Sequence, residues 1–96
     1  MKQYFVYILA SDMNGTLYTG ITNNLARRID EHRDDFEAKF TSKYNVEKLV
    51  YYEAFDTPTE AIHREKNIKA WRRLWKLRLI NSVNPEWEDL SSELLD

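Results

Sequence analysis

Three segments of the chain carry the apolar and β-branched residues typical of strands. The first, Tyr4 to Leu9, is apolar at every position, which is typical of a central strand covered on both faces. Thr16 to Ile21 forms the second predicted strand, and Glu47 to Phe55 forms the third. We therefore expect a small sheet built around the first segment.

The first two strands are joined by Asn14-Gly15, the dipeptide that most strongly favours a two-residue hairpin turn. In the register set by such a turn, Leu9 faces Gly20. Because side chains alternate along a strand, this register places Tyr7 and Tyr18 on the same face of the sheet.

Helical signals fill the remaining segments. Thr22-Asn23-Asn24 can cap a helix from about Leu25 to Arg33, and Thr57-Pro58-Thr59-Glu60 combines a Thr cap, a Pro at the first helical position and a capping-box Glu. That second helix is predicted over 58–69, and a third over 71–83 ends before Pro85. Residues 34–45 are predicted to be a polar loop with the possible anchors Phe36, Phe40 and Tyr44. The order β-β-α-β-α-α predicts an α+β fold with a three-stranded, mostly antiparallel sheet flanked by helices.

Composition limits the class of protein. A chain of 96 residues with 43% apolar residues forms one domain, which we place at 1–88, followed by an acidic tail at 89–96. The absence of cysteine excludes disulfides, thiolate metal sites and a cysteine nucleophile. No apolar run is long enough to cross a membrane, and the start shows no signal-peptide pattern. We expect a cytoplasmic monomer without a membrane partner.

Charge is distributed unevenly, although the net charge is only −2. Residues 64–78 hold seven Lys or Arg against one acid, whereas residues 86–96 hold five acids and no base. A local basic stripe can bind a phosphate chain, although a solvated helix face is the more ordinary explanation. The predicted nucleic-acid-binding residues are Arg27, Arg64, Lys66, Lys69, Arg72 and Arg73.

Several side chains could carry chemistry. Glu65 falls on the apolar face of the second helix, where a carboxylate needs either an ion-pair partner or a metal, and one carboxylate with waters and phosphate suits Mg²⁺. Arg28 and His32 project from one stripe of the first helix and could equally be a solvated Arg and a hydrogen-bonded core His. The two tyrosines could be ordinary strand packing, but Gly20 beside them allows a close approach to the sheet.

Taken together, the pattern resembles the GIY-YIG nuclease superfamily. Phe5-Val6-Tyr7 is followed eleven residues later by Tyr18-Thr19-Gly20, then by Arg28 and His32, and a Glu65 follows on a later helix. The two tripeptides depart from Gly-Ile-Tyr and Tyr-Ile-Gly but keep both tyrosines and the last glycine.

Within that superfamily the chain is similar, over about residues 3–88, to the small stand-alone bacterial proteins of the UPF0213 group. The stretches that carry this similarity are Tyr18 to Arg28, Leu49 to Glu53, Arg64 to Trp71 and Asn84 to Trp87.

The resemblance implies hydrolysis of DNA phosphodiester bonds. It implies Tyr7 or Tyr18 as general base, Arg28 as the group that neutralises the scissile phosphate, and His32 as a group that orients a Tyr or the attacking water. It also implies that Glu65 holds a single Mg²⁺ or Mn²⁺, with no small-molecule cofactor. Asn84 would occupy the place of a late family Asn near the metal, although Asn81 is the competing choice.

Two other functions remain open at this level. The first is a nucleic-acid-binding domain with a silent site, which the net charge of −2 and the small size leave in play. The second is a protein-interaction module in which Trp71, Trp75 and Trp87 form an apolar docking patch.

Overall fold

The computed structural model describes residues 3–34 and 46–94, and it confirms the predicted α+β class and the predicted order of elements. The predicted loop anchors Phe36, Phe40 and Tyr44 lie outside the described residues. The elements are β1 (Tyr4–Ala10), β2 (Leu17–Thr22), α1 (Leu25–Asp34), β3 (Lys48–Phe55), α2 (Pro58–Ala70), α3 (Arg73–Val83) and a 3-10 helix (Leu90–Leu94). Among these described elements, no helix is long and apolar enough to span a bilayer.

The sheet is antiparallel with β1 in the middle, in the order β2-β1-β3. Val6 and Ile8 of β1 pack with α2, α3 and Trp87 on one face. Tyr7 and Leu9 pack with α1 on the other face. Burial on both faces explains why β1 is apolar at every position, because neither face meets water.

The register of the β1–β2 hairpin differs from the prediction by two residues. Leu9 pairs with Tyr18 and Tyr7 pairs with Gly20, whereas the sequence predicted that Leu9 would face Gly20. A shift of two preserves which face each side chain occupies. Tyr7 and Tyr18 therefore share one face, as predicted.

The hairpin turn is longer than predicted. A type I′ turn requires a positive φ at both central residues, but of the Asn14-Gly15 pair only Asn14 has one, at 56°. The backbone N–H of Ser11 donates to the Thr16 carbonyl at 3.0 Å, and the Ser11 hydroxyl accepts from the Thr16 N–H at 3.0 Å. This side-chain bond closes a wider turn and ends the ladder two residues earlier.

The start of α2 confirms the predicted Thr cap and the Pro in the first turn, while the Glu60 carboxylate accepts from the Thr57 hydroxyl at 2.9 Å. The Thr57 hydroxyl accepts from the Glu60 N–H at 3.3 Å, and Pro58 occupies the first turn. Ala61 and Ile68 on this helix are fully buried against β1 and β3. Capping and burial together fix the position of α2 across the sheet, and so the position of Glu65.

The C-terminal segment returns to the core. Trp87 is fully buried, and its indole N–H donates to Asn81 Oδ1 at 2.6 Å. The predicted docking patch is therefore wrong for Trp87. Trp71 and Trp75 still form an edge-to-face pair at the α2–α3 junction, with ring centroids 6.1 Å apart.

Residues 89–94 of the predicted acidic tail also pack against the domain. Leu90 and Leu94 cover the cluster that contains Tyr7 and Leu9. The Arg33 guanidinium donates to Asp89 Oδ2 at 2.8 Å and holds this segment against α1.

Candidate active site

Tyr7 and Tyr18 form one wall of a cluster on the α1 face of the sheet. Their ring centroids are 6.3 Å apart, and both rings make edge contacts with the His32 ring. Tyr7 is 1% exposed, whereas Tyr18 is half-buried. The two tyrosines therefore differ in their access to solvent.

Helix α1 brings Arg28 and His32 to the tyrosines. It starts where the Asn24 side chain accepts from the Arg27 N–H at 3.1 Å, and Leu25 and Ile29 anchor it on the sheet. Arg28 and His32 are four residues apart and therefore lie on the same side of the helix, where both side chains reach Tyr7.

Tyr7 Oη is the centre of the hydrogen bonding. It lies 3.0 Å from His32 Nε2, and Arg28 Nε donates to it at 3.4 Å. His32 is 4% exposed, so this bond is made away from bulk water. The sequence placed these three residues in one site, and the structure brings them together.

Burial dominates the protonation of Tyr7 and raises its pKa to about 12. The adjacent Arg28 acts in the opposite direction, and Tyr18 adds to the rise. Reciprocally, the Tyr7 hydroxyl raises the pKa of Arg28. Near neutral pH this site holds a protonated phenol and a guanidinium cation.

Gly20 is required by the Tyr7 ring. A Cβ built on Gly20 would overlap the Tyr7 Oη and lie 3.0 Å from Tyr7 Cε1. The close approach predicted from the sequence is real, and the group that approaches is the side chain of Tyr7.

Glu65 lies on α2, which packs against the opposite face of the sheet. Its side chain is 13% exposed and its Oε2 lies 2.8 Å from Lys69 Nζ. The ion pair considered from the sequence is therefore present. No cluster of three or more acidic or histidine side chains that could hold a metal occurs within residues 3–34 and 46–94. A single carboxylate still fits Mg²⁺, which keeps several waters and takes further ligands from substrate phosphates.

A surface pocket lies beside β2, which is an edge strand of the sheet. The pocket has a volume of about 350 Å³ and is lined by Leu17, Tyr18, Thr19, Lys69 and Lys76. Tyr18 belongs to the tyrosine cluster, and Lys69 is the ion-pair partner of Glu65. The pocket is therefore bordered by one member of the tyrosine cluster and by the ion-pair partner of Glu65.

The predicted DNA-binding residues separate into two groups. Arg64 bonds to Glu53 at 2.9 Å and lies 5.2 Å from the centre of the Trp71 ring, and Arg73 donates to the carbonyls of Asn14 and Gly15 at 2.6 Å. These two guanidinium groups hold elements of the fold together, which the sequence did not predict. Arg73 is nevertheless exposed to solvent, as are the other four residues, Arg27, Lys66, Lys69 and Arg72, and Arg27 lies 3.7 Å from Glu31.

Asn84, predicted to lie near the metal, makes structural hydrogen bonds. Its Nδ2 donates to the carbonyls of Val50 and Glu88 at 3.0 and 2.9 Å, and its Oδ1 accepts from the Glu88 N–H at 3.0 Å. These hydrogen bonds connect the end of α3 to β3 and to the segment that follows α3.

Lys76 was not singled out from the sequence. It is one of seven basic residues within residues 64–78, and nothing in that run distinguishes it. Its distance of seven positions from Lys69 is the signal that could have found it, but only with knowledge of the break between α2 and α3.

Comparison with known proteins gives a consistent result. A model of the GIY-YIG catalytic domain matches residues 3–78. A UPF0213 protein of Clostridium perfringens is 42% identical over 90 residues, or 94% of this chain and 96% of that protein. A UPF0213 protein of Staphylococcus saprophyticus is 40% identical over 81 residues, or 84% of this chain and 98% of that protein. The solution NMR structure of a UPF0213 protein from Bacillus halodurans matches with 32% identity and a TM-score of 0.58, covering 91% of this chain and 92% of that one.

Proposed function

The chain belongs to the GIY-YIG catalytic domain family and to its UPF0213 group, and we propose that it is an endonuclease that hydrolyses DNA phosphodiester bonds with one bound divalent cation. The observation that supports this most is the position of Tyr7 Oη, between His32 Nε2 and Arg28 Nε. A buried hydroxyl held between a cation and an imidazole provides both charge and a path for a proton. The reaction would take place in the cytoplasm of a bacterial cell.

Arg28 stabilises charge in this mechanism. Its side chain is half-buried at the mouth of the tyrosine cluster, and Tyr7 and Tyr18 both favour its charged form. A planar guanidinium can bond two phosphate oxygens at once, and it gains most when negative charge develops on them in the transition state.

Proton transfer is assigned to the tyrosines and His32 acting in sequence. A phenolate at Tyr7 is scarce near neutral pH because its pKa is raised to about 12. We place the attacking water at Tyr18, because Tyr18 borders the pocket whereas Tyr7 is only 1% exposed. We assign the proton of the water to Tyr18, a proton from Tyr18 to Tyr7, and a proton from Tyr7 to His32 Nε2. In the tautomer protonated at Nδ1, His32 accepts that proton and both hydroxyls stay neutral.

Glu65 would hold the divalent cation, with waters and phosphate oxygens as the other ligands. When bound, Mg²⁺ or Mn²⁺ would stabilise the leaving oxygen. The nearly buried carboxylate on α2 supports this assignment, since its other cationic partner, Lys69, is exposed and exchangeable.

A cleavage assay on fluorescently labelled single-stranded, duplex and branched DNA tests the proposal. We expect cleavage with Mg²⁺ or Mn²⁺, none with EDTA, and on the order of a 10²-fold or greater loss in Glu65→Gln. Glu86→Gln is the control, because Glu86 is an exposed carboxylate outside the site. Binding of DNA without any metal-dependent cleavage would instead identify a nucleic-acid-binding domain with a silent site.

A further inference from the structure

The pocket at the edge of β2 has features that the proposed nuclease mechanism does not use. Two lysines, Lys69 and Lys76, line it beside the half-buried Tyr18. The helix break at Trp71-Arg72 brings them together, since Lys69 lies in the last turn of α2 and Lys76 in the first half of α3. Lys76 Nζ lies 3.5 Å from the Lys69 carbonyl oxygen, a long contact at the end of α2.

Lys69 faces two possible partners. Its Nζ is 2.8 Å from Glu65 Oε2, while its side chain is 53% exposed and also lines the pocket. Only the Lys69 end of this pair is exposed, so the ammonium group can turn to another anion, provided that a second cation then compensates the nearly buried Glu65 carboxylate. A phosphate in the pocket would meet both lysines and could take Lys69 from the carboxylate.

We propose that the Lys69–Lys76 pocket binds a phosphate group of the nucleic-acid backbone, and that Lys69 leaves Glu65 to do so. The proposal rests on the proposed function in one respect, namely that Glu65 is the metal ligand. In the substrate-free protein Lys69 neutralises Glu65, so the carboxylate competes poorly for a cation. Phosphate binding then exposes the carboxylate to the cation, and the binding of the two ligands is coupled.

The charge balance of the site supports this coupling. The Glu65 and Lys69 side chains together carry no net charge, and Lys76 adds one positive charge at the pocket. A divalent cation placed there without an anion would face two ammonium groups. A phosphate between the lysines removes that repulsion, which is why each ligand should favour the other.

The first test is an NMR titration of the whole protein with dimethyl phosphate, the simplest phosphodiester. We expect shifts at the amides of residues 17–19, 69 and 76, and about a fivefold or greater loss of affinity in both Lys69→Met and Lys76→Met, in the range of a modest coupling. Lys48→Met is the matched control, because Lys48 starts the strand at the opposite edge of the sheet. Shifts elsewhere, or an affinity that both variants leave unchanged, would contradict phosphate binding at this pocket.

The second test measures Mn²⁺ binding without phosphate, by paramagnetic broadening of the Glu65 region. Lys69→Met should raise Mn²⁺ affinity by about fivefold or more, because it frees the carboxylate. Lys76→Met removes the same charge from the same pocket without breaking the ion pair, so its effect should be much smaller. Equal effects of the two variants would show that only net charge matters and would overturn the exchange of Lys69.

Neither measurement requires cleavage, so the two proposals can fail separately. Phosphate binding by a protein that never cleaves DNA would contradict the nuclease and keep the pocket. Metal-dependent cleavage that survives Lys69→Met and Lys76→Met, with no phosphate shift at the pocket, would contradict the pocket and keep the nuclease.

Discussion

Gly20 lies directly opposite Tyr7 in the β1–β2 ladder, and the Tyr7 ring occupies the space that a Cβ on Gly20 would need. Tyr7 in turn contacts Arg28 and His32. The absence of a side chain at Gly20 therefore allows the Tyr7 ring to reach Arg28 and His32.

Gly20→Ala should displace the Tyr7 ring and reduce both activity and stability. Overpacking of this kind costs about 1–3 kcal/mol of unfolding free energy. Thermal melts and cleavage rates measure the two effects. In a Tyr7→Ala background the same change at Gly20 should cost little more, because the clash is gone. Equal costs in both backgrounds would contradict the steric explanation.

Arg28→Ala should lower the cleavage rate on the order of 10²-fold or more, while DNA affinity falls little. The guanidinium acts on charge that develops in the transition state, so its loss appears mainly in kcat. Arg28→Lys should recover only part of the rate, because it keeps the charge but not the planar fork. Arg27→Ala, one residue earlier on the exposed side of α1, should instead raise KM. Single-turnover kinetics and equilibrium binding separate these outcomes, and an Arg28→Ala enzyme with native kcat would contradict the role.

Local patterns allowed most of the fold to be predicted. The apolar run in β1, the capping signal at Thr57 and the alternation that places Tyr7 beside Tyr18 each depend on residues close together in the chain. Local sequence patterns were sufficient for these features, because each one depends on interactions between residues that are close in the chain. Helical spacing placed Arg28 and His32 on one stripe, and the resemblance to the family placed that stripe at the tyrosines.

What could not be predicted depends on distant partners. Arg73 bonds to carbonyls 58 and 59 positions away, and the Asn84 amide bonds to Val50, 34 positions away. Such pairs leave no periodic trace in a sequence. The hairpin register was missed for a different reason, since the Ser11 hydroxyl closes a wider turn than Asn14-Gly15 alone would form.

The pH dependence of cleavage should identify the group that finally accepts the proton. If it is His32, the rate should level off well before the alkaline range, because a neutral imidazole and not a phenolate takes the proton. If a Tyr7 phenolate is required, the rate should keep rising towards its raised pKa of about 12, because the phenol stays protonated below it. His32→Gln should convert the first profile into the second. A wild-type rate that still climbs at pH 10 would contradict the relay.

Asp89 should stabilise the fold at neutral pH and not in acid. Partial burial favours its neutral form, but hydrogen bonds from Ser91 and the charge of Arg33 outweigh this and lower its pKa from 3.8. The stability is therefore present above that ordinary value and is lost as the pH falls through the lowered pKa. Asp89→Asn should cost roughly 1–2 kcal/mol at pH 7, as for a bond to a charged group at a partly exposed site, and less at an acid pH below 3.8. Urea unfolding at both pH values checks this, with Glu86→Gln as the control.

Removal of residues 89–96 tests the same segment more severely. Charge alone would favour tighter DNA binding once these acidic residues are gone. The packing of Leu90 and Leu94 and the Arg33–Asp89 pair predict that the truncated protein is first of all less stable. A truncated protein with native melting behaviour would show that the segment contributes charge alone.

DNA binding should weaken steeply with salt, and Arg72 and Arg73 should contribute to it differently. Each phosphate contact made by an exposed cation adds about one to the slope of log affinity against log salt, because counterions are released. Arg72→Glu should lower that slope and leave the melting temperature unchanged, since its side chain is exposed. Arg73→Glu should lower the melting temperature, because Arg73 holds the β1–β2 turn through the carbonyls of Asn14 and Gly15. Fluorescence anisotropy over a range of salt concentrations, with melts of both variants, measures this difference. Salt-insensitive binding, or an unchanged slope in Arg72→Glu, would contradict the prediction that the basic segment at residues 64–78 contacts DNA.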